Sequence, residues 1–266
     1  MTLPLFRAFV ALHVLGGATA LLTLWAPLLA RKGGSAHRRW GGIAARAMML
    51  TGVAGFGVGA VTMVRPLETH LTLHDPVWIR GVFGWMMMFL AVLTFSLAWH
   101  GRELLRQGDA WPGPHRGRET ALQLVVLLFA IACCWQGWVI RQPLLPAMAL
   151  LGFATANNNL TLLRRAPLSR VDRTVEHVKA CVGASAAVCT AFLAVGLVRL
   201  LPKESLHPGW WSLPIVAGLS LSVYYERRLR HAAAPTPRAP RAAGRAAVPP
   251  GPAAQMATGT LARRGT

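Results

Sequence analysis

The chain has 266 residues, 54% of them hydrophobic and 14% charged, against about 25% charged in an average soluble domain. Scarce charges bunched between long apolar runs exclude an ordinary soluble domain and mark a membrane protein. The net charge of +19 comes from 28 Lys and Arg against 9 Asp and Glu. These cations lie between apolar runs, so they read as membrane topology plus a basic tail and not as a nucleic-acid surface.

The first apolar run, roughly 5–30, is too long for a signal peptide, and most of its flanking charge follows it. It carries His13 on one helical face with Phe9, Gly16, Gly17 and Ala20, and small residues mark the face where helices approach closely. A basic, Gly-rich stretch follows at 30–42, with Arg31, Lys32, His37, Arg38 and Arg39. Run two, roughly 42–64, holds the close-packing pair Gly55 and Gly59. A polar loop at 65–76 carries His70, His74 and Asp75. Thr72 and Pro76 favour a loop there over a metal-binding helix.

Run three, roughly 77–100, ends at His100, and a polar loop at about 101–119 follows. Run four, roughly 120–140, has Trp135 and Trp138 near its end, where an aromatic belt is expected. Run five, roughly 144–163, contains Asn157, Asn158 and Asn159. Three consecutive amides cannot all face lipid cheaply, so at least one should hydrogen-bond inside the bundle. Run six, roughly 177–200, opens with Glu176 and His177 and is rich in small residues, which suits a central helix. Run seven, roughly 209–225, has Trp210 and Trp211 at one end and Tyr224 and Tyr225 at the other, as in a helix anchored at two interfaces. Residues 229–266 are rich in Ala, Pro and Arg without apolar periodicity, and read as a disordered tail. Cys133, Cys134, Cys181 and Cys189 fall inside apolar runs at no metal-site spacing, and read as small unbridged packing residues.

Basic residues alternate between loops. Arg31, Lys32, Arg38 and Arg39, then Arg102, Arg106, Arg116 and Arg118, then Arg164, Arg165, Arg170 and Arg173 fill every other connection, and the segment from Arg227 adds more. The remaining loops hold Arg65, Arg80, Arg141 and Lys203. The positive-inside rule then gives an all-α bundle of seven transmembrane helices over 1–228, N-terminus outside and C-terminus cytoplasmic. His37, His100, His115 and His177 fall at the cytoplasmic end, and His13 in the outer half of the first helix. The expected partners are the bilayer itself and anionic lipids at the basic loops and tail.

His13 is the one ionisable residue this reading sets well inside a span, which makes it a functional candidate. If helices two, three and six adjoin, His37, His100 and His177 converge, and two facing imidazoles would suffice for a bis-His haem. The plainer alternatives are a neutral imidazole on a backbone carbonyl for His13, and interfacial residues for the others. Arg38 and Arg39 at a helix start suit an anion such as a lipid headgroup. No recognised catalytic motif is present, and the carboxylates fall in loops.

Three stretches, 13–22 (HVLGGATALL), 31–41 (RKGGSAHRRWG) and 176–192 (EHVKACVGASAAVCTAF), resemble a domain-of-unknown-function family of bacterial integral membrane proteins. The resemblance spans about 5–228. It implies a location in the bacterial plasma membrane and marks His13, His37 and His177 as the characteristic histidines, without an activity. Three functional expectations follow. One is a redox-accessory protein holding a small ligand, haem b being the named candidate, with His13, His37 and His177 as the candidate haem ligands and His100 and Asn158 as further ligand contacts. The second is a permease-like transporter with His13 and Asn157–Asn159 lining a path. The third is a structural subunit of a membrane complex.

Overall fold

A computed structural model of the chain describes residues 2–165, 167–200 and 207–233. Every regular element among them is helical: α1 (Thr2–Thr23), α2 (Trp25–Leu29), α3 (Ser35–Val64), α4 (Pro66–Thr69), α5 (Pro76–Ile79), a π-helical segment (Arg80–Met86), α6 (Met87–Gln107), two 3₁₀ turns, α7 (Arg116–Val139), α8 (Leu144–Arg165), α9 (Arg170–Leu200) and α10 (Pro208–Ala233). Four stretches are long and apolar enough to cross a membrane: Leu3–Leu29, Ser35–Val64, Pro76–Ala110 and Gly113–Val139. Their outward faces carry Leu15, Leu22, Leu50, Leu128 and Ile131, all exposed. Continuous apolar surface of this kind matches lipid.

Lipid removes most of the hydrophobic drive between helices, so packing relies on small residues that let backbones approach. A Cβ on Gly52 would sit 2.8 Å from the Ala91 carbonyl oxygen, and one on Gly59 3.0 Å from that of Gly84, which ties α3 to the π-helical segment and α6. Gly152 does the same for α8, where a Cβ would lie 2.6 Å from Phe89 and 2.9 Å from Ala130. Gly218 brings α10 onto Ala186 of α9 at 3.1 Å.

The contacts fix the direction of each helix. Gly16 lies on Thr51 and Gly57 on Phe9, so α1 and α3 are antiparallel. Ser96 meets Gln123 and His100 meets Glu119, so α6 and α7 are too. Gly137 faces Leu145 while Gln123 reaches Asn159, so the same holds for α7 and α8. Lys179 pairs with Glu226 and Asp172 with Arg230, which runs α10 against α9. This order gathers segments 31–39, 102–118, 164–173 and 227–233 at one end of the bundle, hereafter the basic end.

Helix starts differ from the sequence reading in two places that matter. α3 begins at Ser35, so His37, Arg38 and Arg39 stand on its first turns rather than in a loop. α7 begins at Arg116, which takes Glu119 out of the loop and into a helix where it is fully buried. The 65–76 segment is a loop, broken by α4. Its Asp75 accepts hydrogen bonds from the Val77 and Trp78 amides at 2.9 and 3.0 Å, as the N-cap of α5. α10 continues to Ala233, and the tail expected over 229–266 lies outside the described residues from 234 onward.

Candidate functional site

The histidines expected to act together each join a different pair of helices. His13 is half-buried, and its Nδ1 lies 3.0 Å from the Thr51 carbonyl oxygen of α3. A carbonyl only accepts, so Nδ1 carries the proton. The acceptor is reachable because residue 55, one turn on, is glycine: a Cβ there would be 2.9 Å from His13 Nδ1. Gly55→Ala is therefore expected to break this bond and destabilise the fold by about 1–3 kcal/mol. His13→Ala added to it should recover part of the loss in thermal unfolding.

His37 donates Nδ1–H to the Pro27 carbonyl at 3.0 Å. Lys32 Nζ reaches the same oxygen at 2.9 Å and that of Leu28 at 2.5 Å. These are orphan carbonyls at the end of α2, where cationic or donor side chains belong. The stretch at 30–42 thus closes one helix and opens the next. Arg38 donates to the Gly33 carbonyl at 2.8 Å, and Arg39 is exposed.

His177 on α9 donates to the Gly101 carbonyl of α6 at 2.6 Å. Gly101 admits this approach, with Ala180 Cβ 3.1 Å from where its own Cβ would be. Among the described residues no contact joins any two of these three rings. Fourteen residues separate His37 from Thr51 on α3, about 21 Å of helix, so His13 and His37 do not face one another across a single macrocycle. Nε2 of His13 and of His37 makes no hydrogen bond among the described residues, the orientation a metal-ligating imidazole needs, whereas Nε2 of His177 lies 3.8 Å from Cys181 Sγ.

His100 is placed differently. It is 1% exposed, and its Nδ1–H donates to Glu119 Oε2 at 3.0 Å. Glu119 is 0% exposed, and its other oxygen accepts from Trp99 Nε1–H at 2.9 Å. One helical turn deeper, Gln123 Nε2 donates to Ser96 Oγ at 3.1 Å, both residues being fully buried. The i, i+4 spacing on both α6 and α7 stacks these two polar rungs.

From Gln123 a chain of hydrogen bonds runs back to the basic end. Asn159 donates to Gln123 Oε1 at 3.2 Å, and Asn158 donates to Asn159 Oδ1 at 3.3 Å and to Glu176 Oε2 at 3.0 Å. Lys179 then bridges Glu176 at 3.1 Å and Glu226 at 2.9 Å. Glu226 and Asp172 both bind Arg230, at 3.0 and 2.9 Å. Of the amides expected to bond inside the bundle only Asn159 is buried; Asn157 and Asn158 are both exposed, although Asn158 turns its amide to Asn159 and Glu176. Ser96 lies eleven residues from the end of α6 at Gln107, about 16 Å, or roughly half a hydrocarbon core of about 30 Å. On the other side of that level the same helices pack Phe89, Leu93, Val126, Ala130, Cys133 and Met148 into an apolar core.

Glu119, Gln123 and Glu176 escape a reading of the sequence because Glu119 sits in a run of Arg and Gly that looks like loop. The available signal was the i, i+4 pair Glu119 and Gln123 facing Ser96 and His100 at the same spacing. Among the described residues no group of three or more His, Cys, Asp or Glu side chains is placed to hold a metal ion. Two surface grooves, one along α10 between Leu219 and Arg228 and one between α7 and α8 at Trp135 and Phe153, contain no histidine.

At the basic end the Ser169 hydroxyl, and then Arg230, hold the Asp172 carboxyl below the usual carboxylate range, against partial burial. Lys179 and then Arg230 do the same for Glu226. Lowered folded-state values mean that these groups stabilise the docking of α10 at and above the ordinary carboxylate range, about pH 4. The contribution is lost as pH falls through the lower folded values. Amide exchange in residues 224–233 should therefore accelerate in acid before the rest of the bundle does. Equal protection throughout would show that the ion pairs do not hold α10.

The described chain is an all-helical protein with four helices suited to a membrane, and it carries a chain of polar side chains that starts at the buried Ser96 and Gln123 and ends at a basic face. No protein-family model, curated protein or solved structure matches it.

Proposed function

We propose that the chain is a permease-like protein of the bacterial plasma membrane, of the family it resembles, which moves protons or a small protonatable solute. The observation that carries this is the continuous chain Ser96–Gln123–Asn159–Asn158–Glu176–Lys179–Glu226, polar in one half of the bundle and capped by an apolar core in the other. Intramembrane polar and ionisable residues are expensive to bury, and they mark substrate or proton pathways. In this reading the seven long helices all span the bilayer, with the N-terminus outside. The basic end then faces the cytoplasm, as the charge bias of its loops requires. Arg38, Arg39 and the basic tail would meet anionic headgroups there. His13 on α1 bonds to α3 and to no member of the chain among the described residues, so in this reading the path is lined by Asn158 and Asn159 without it.

Dye-loaded proteoliposomes, given a pH step and then a panel of small amines and zwitterions, test the proposal. Proton movement above that of protein-free vesicles is expected, slowed roughly tenfold by Asn159→Leu, the equivalent of about 1.4 kcal/mol of barrier. No movement above the empty vesicles under any of these conditions would sink it.

A second reading keeps haem b in a redox-accessory role. It is favoured by Nε2 of His13 and His37, which makes no hydrogen bond among the described residues while a backbone carbonyl fixes each ring through Nδ1. Haem iron would be held by one such nitrogen and supply electron transfer. A Soret band in the purified protein, lost with one of the substitutions His13→Ala, His37→Ala or His177→Ala, would favour it over transport. A colourless preparation that takes up no added haem would remove it.

A further inference from the structure

Burial without a partner is the feature of His100 that the polar chain does not absorb. Its Nδ1 side is occupied by Glu119, yet its Nε2 has no hydrogen-bond partner among the described residues. The same is true of Trp111 Nε1 and Gln107 Oε1, which are also buried. Trp111 is 2% exposed, and its ring stands edge-on to His100 with centroids 5.8 Å apart. It belongs to the connection between α6 and α7, and Asp109 in that connection pairs with Arg173 of α9. The connection thus covers His100 at the basic end of the bundle.

Charge balance limits the states available to this site. A bare carboxylate on Glu119, isolated from water, would be very costly. The other ionised groups nearby are already paired. Glu103, on α6, is held by Arg106 at 2.8 Å and by Gln107 at 2.9 Å. Glu176, on α9, is held by Asn158 and Lys179. His177 and Cys181, also on α9, lie on the far side of Gly101, with His177 committed to its carbonyl. α8 brings Leu160, Leu162 and Leu163, all apolar, to the cluster around Trp111. That leaves the His100 imidazole as the one group able to compensate Glu119, and it does so only with a proton.

We infer that His100 and Glu119 form a buried proton-binding site, in which one exchangeable proton is held between α6 and α7 under the Trp111 connection. The proton sits on the imidazole as an ion pair or on the carboxyl as a neutral pair. In either form the net charge is zero, and its departure leaves Glu119 negative. Nε2 is the point of entry and exit, because Nδ1 and both carboxyl oxygens are occupied. The inference deepens the transport reading and rests on it for the purpose of the proton, which would be the coupling ion. The next rung, Ser96–Gln123, lies one turn deeper and is bonded to the Asn chain.

Proton binding is measurable without transport, so the two ideas can fail separately. The full-length protein in lipid is titrated between about pH 5 and pH 8, the span in which an imidazole changes charge, and followed by infrared difference spectroscopy. A carboxyl or imidazole signal lost in both His100→Gln and Glu119→Gln is expected. Trp99→Phe, which keeps the pair but removes one donor to the carboxylate, should shift the frequency of the carboxyl band. Should neither Gln variant purify, the Trp99→Phe shift decides. No titrating signal, a signal that survives either Gln substitution, or an unshifted carboxyl band in Trp99→Phe overturns the site. Flux without this signal would leave the transport reading standing and remove the proton site. The signal without flux would do the reverse.

Discussion

His100→Leu is expected to destabilise the bundle by about 3–5 kcal/mol, and Glu119→Leu by a similar amount. Each leaves one member of a pair that is 1% and 0% exposed without its compensating charge. Combining the two should cost far less than the sum, because replacing a whole buried ion pair by apolar side chains is often close to neutral. It will not be neutral here. Trp99 Nε1–H loses its acceptor among the described residues, and an unmade buried hydrogen bond costs about 1–3 kcal/mol. Adding Trp99→Phe should remove most of that remainder. Unfolding in mixed detergent across the four combinations of the pair gives the coupling. Additive losses would mean that His100 and Glu119 do not depend on one another.

The second large effect is a contrast between neighbouring asparagines. Asn159→Leu removes the donor to Gln123 Oε1 and the acceptor of Asn158 at a position 4% exposed. A loss of about 1–3 kcal/mol is expected for the groups left unpaired. Flux should fall with it, since the polar chain is cut between α7 and α8. Asn157→Leu, two residues away on an exposed face, should change stability by no more than about 0.5 kcal/mol. If Asn157→Leu is the damaging substitution, the helical phase assigned to α8 is wrong.

Both results turn on residues that differ in how readable they were. The apolar runs announce their helices because about 20 apolar residues in succession have few other uses. The small residues announce close-packed faces, and Gly55, Gly59 and Gly152 occupy them. The three consecutive asparagines required at least one internal partner, and two of them have it. The histidines were legible as candidates but not as a set. Spacing along a chain says nothing about which helix lies across from which, and the structure commits His13, His37 and His177 to three different carbonyls. His37 reads like a ligand, yet it caps the end of α2 together with Lys32.

Composition, charge alternation and hydrophobic runs were enough to make this an all-helical membrane protein, because those properties follow from the solvent around each segment and need no knowledge of neighbours. The buried pair of His100 and Glu119, and the chain from Ser96 to Glu226, emerge only when α6, α7, α8, α9 and α10 are set side by side. A hydrogen bond between residues 36 apart in sequence, such as Asn159 to Gln123, depends on the register of two antiparallel helices. That register is set by where Gly137 lets α7 close on α8 and where Gly101 lets α6 close on α9. A local pattern places a residue on a face of its helix, and only packing decides what that face meets.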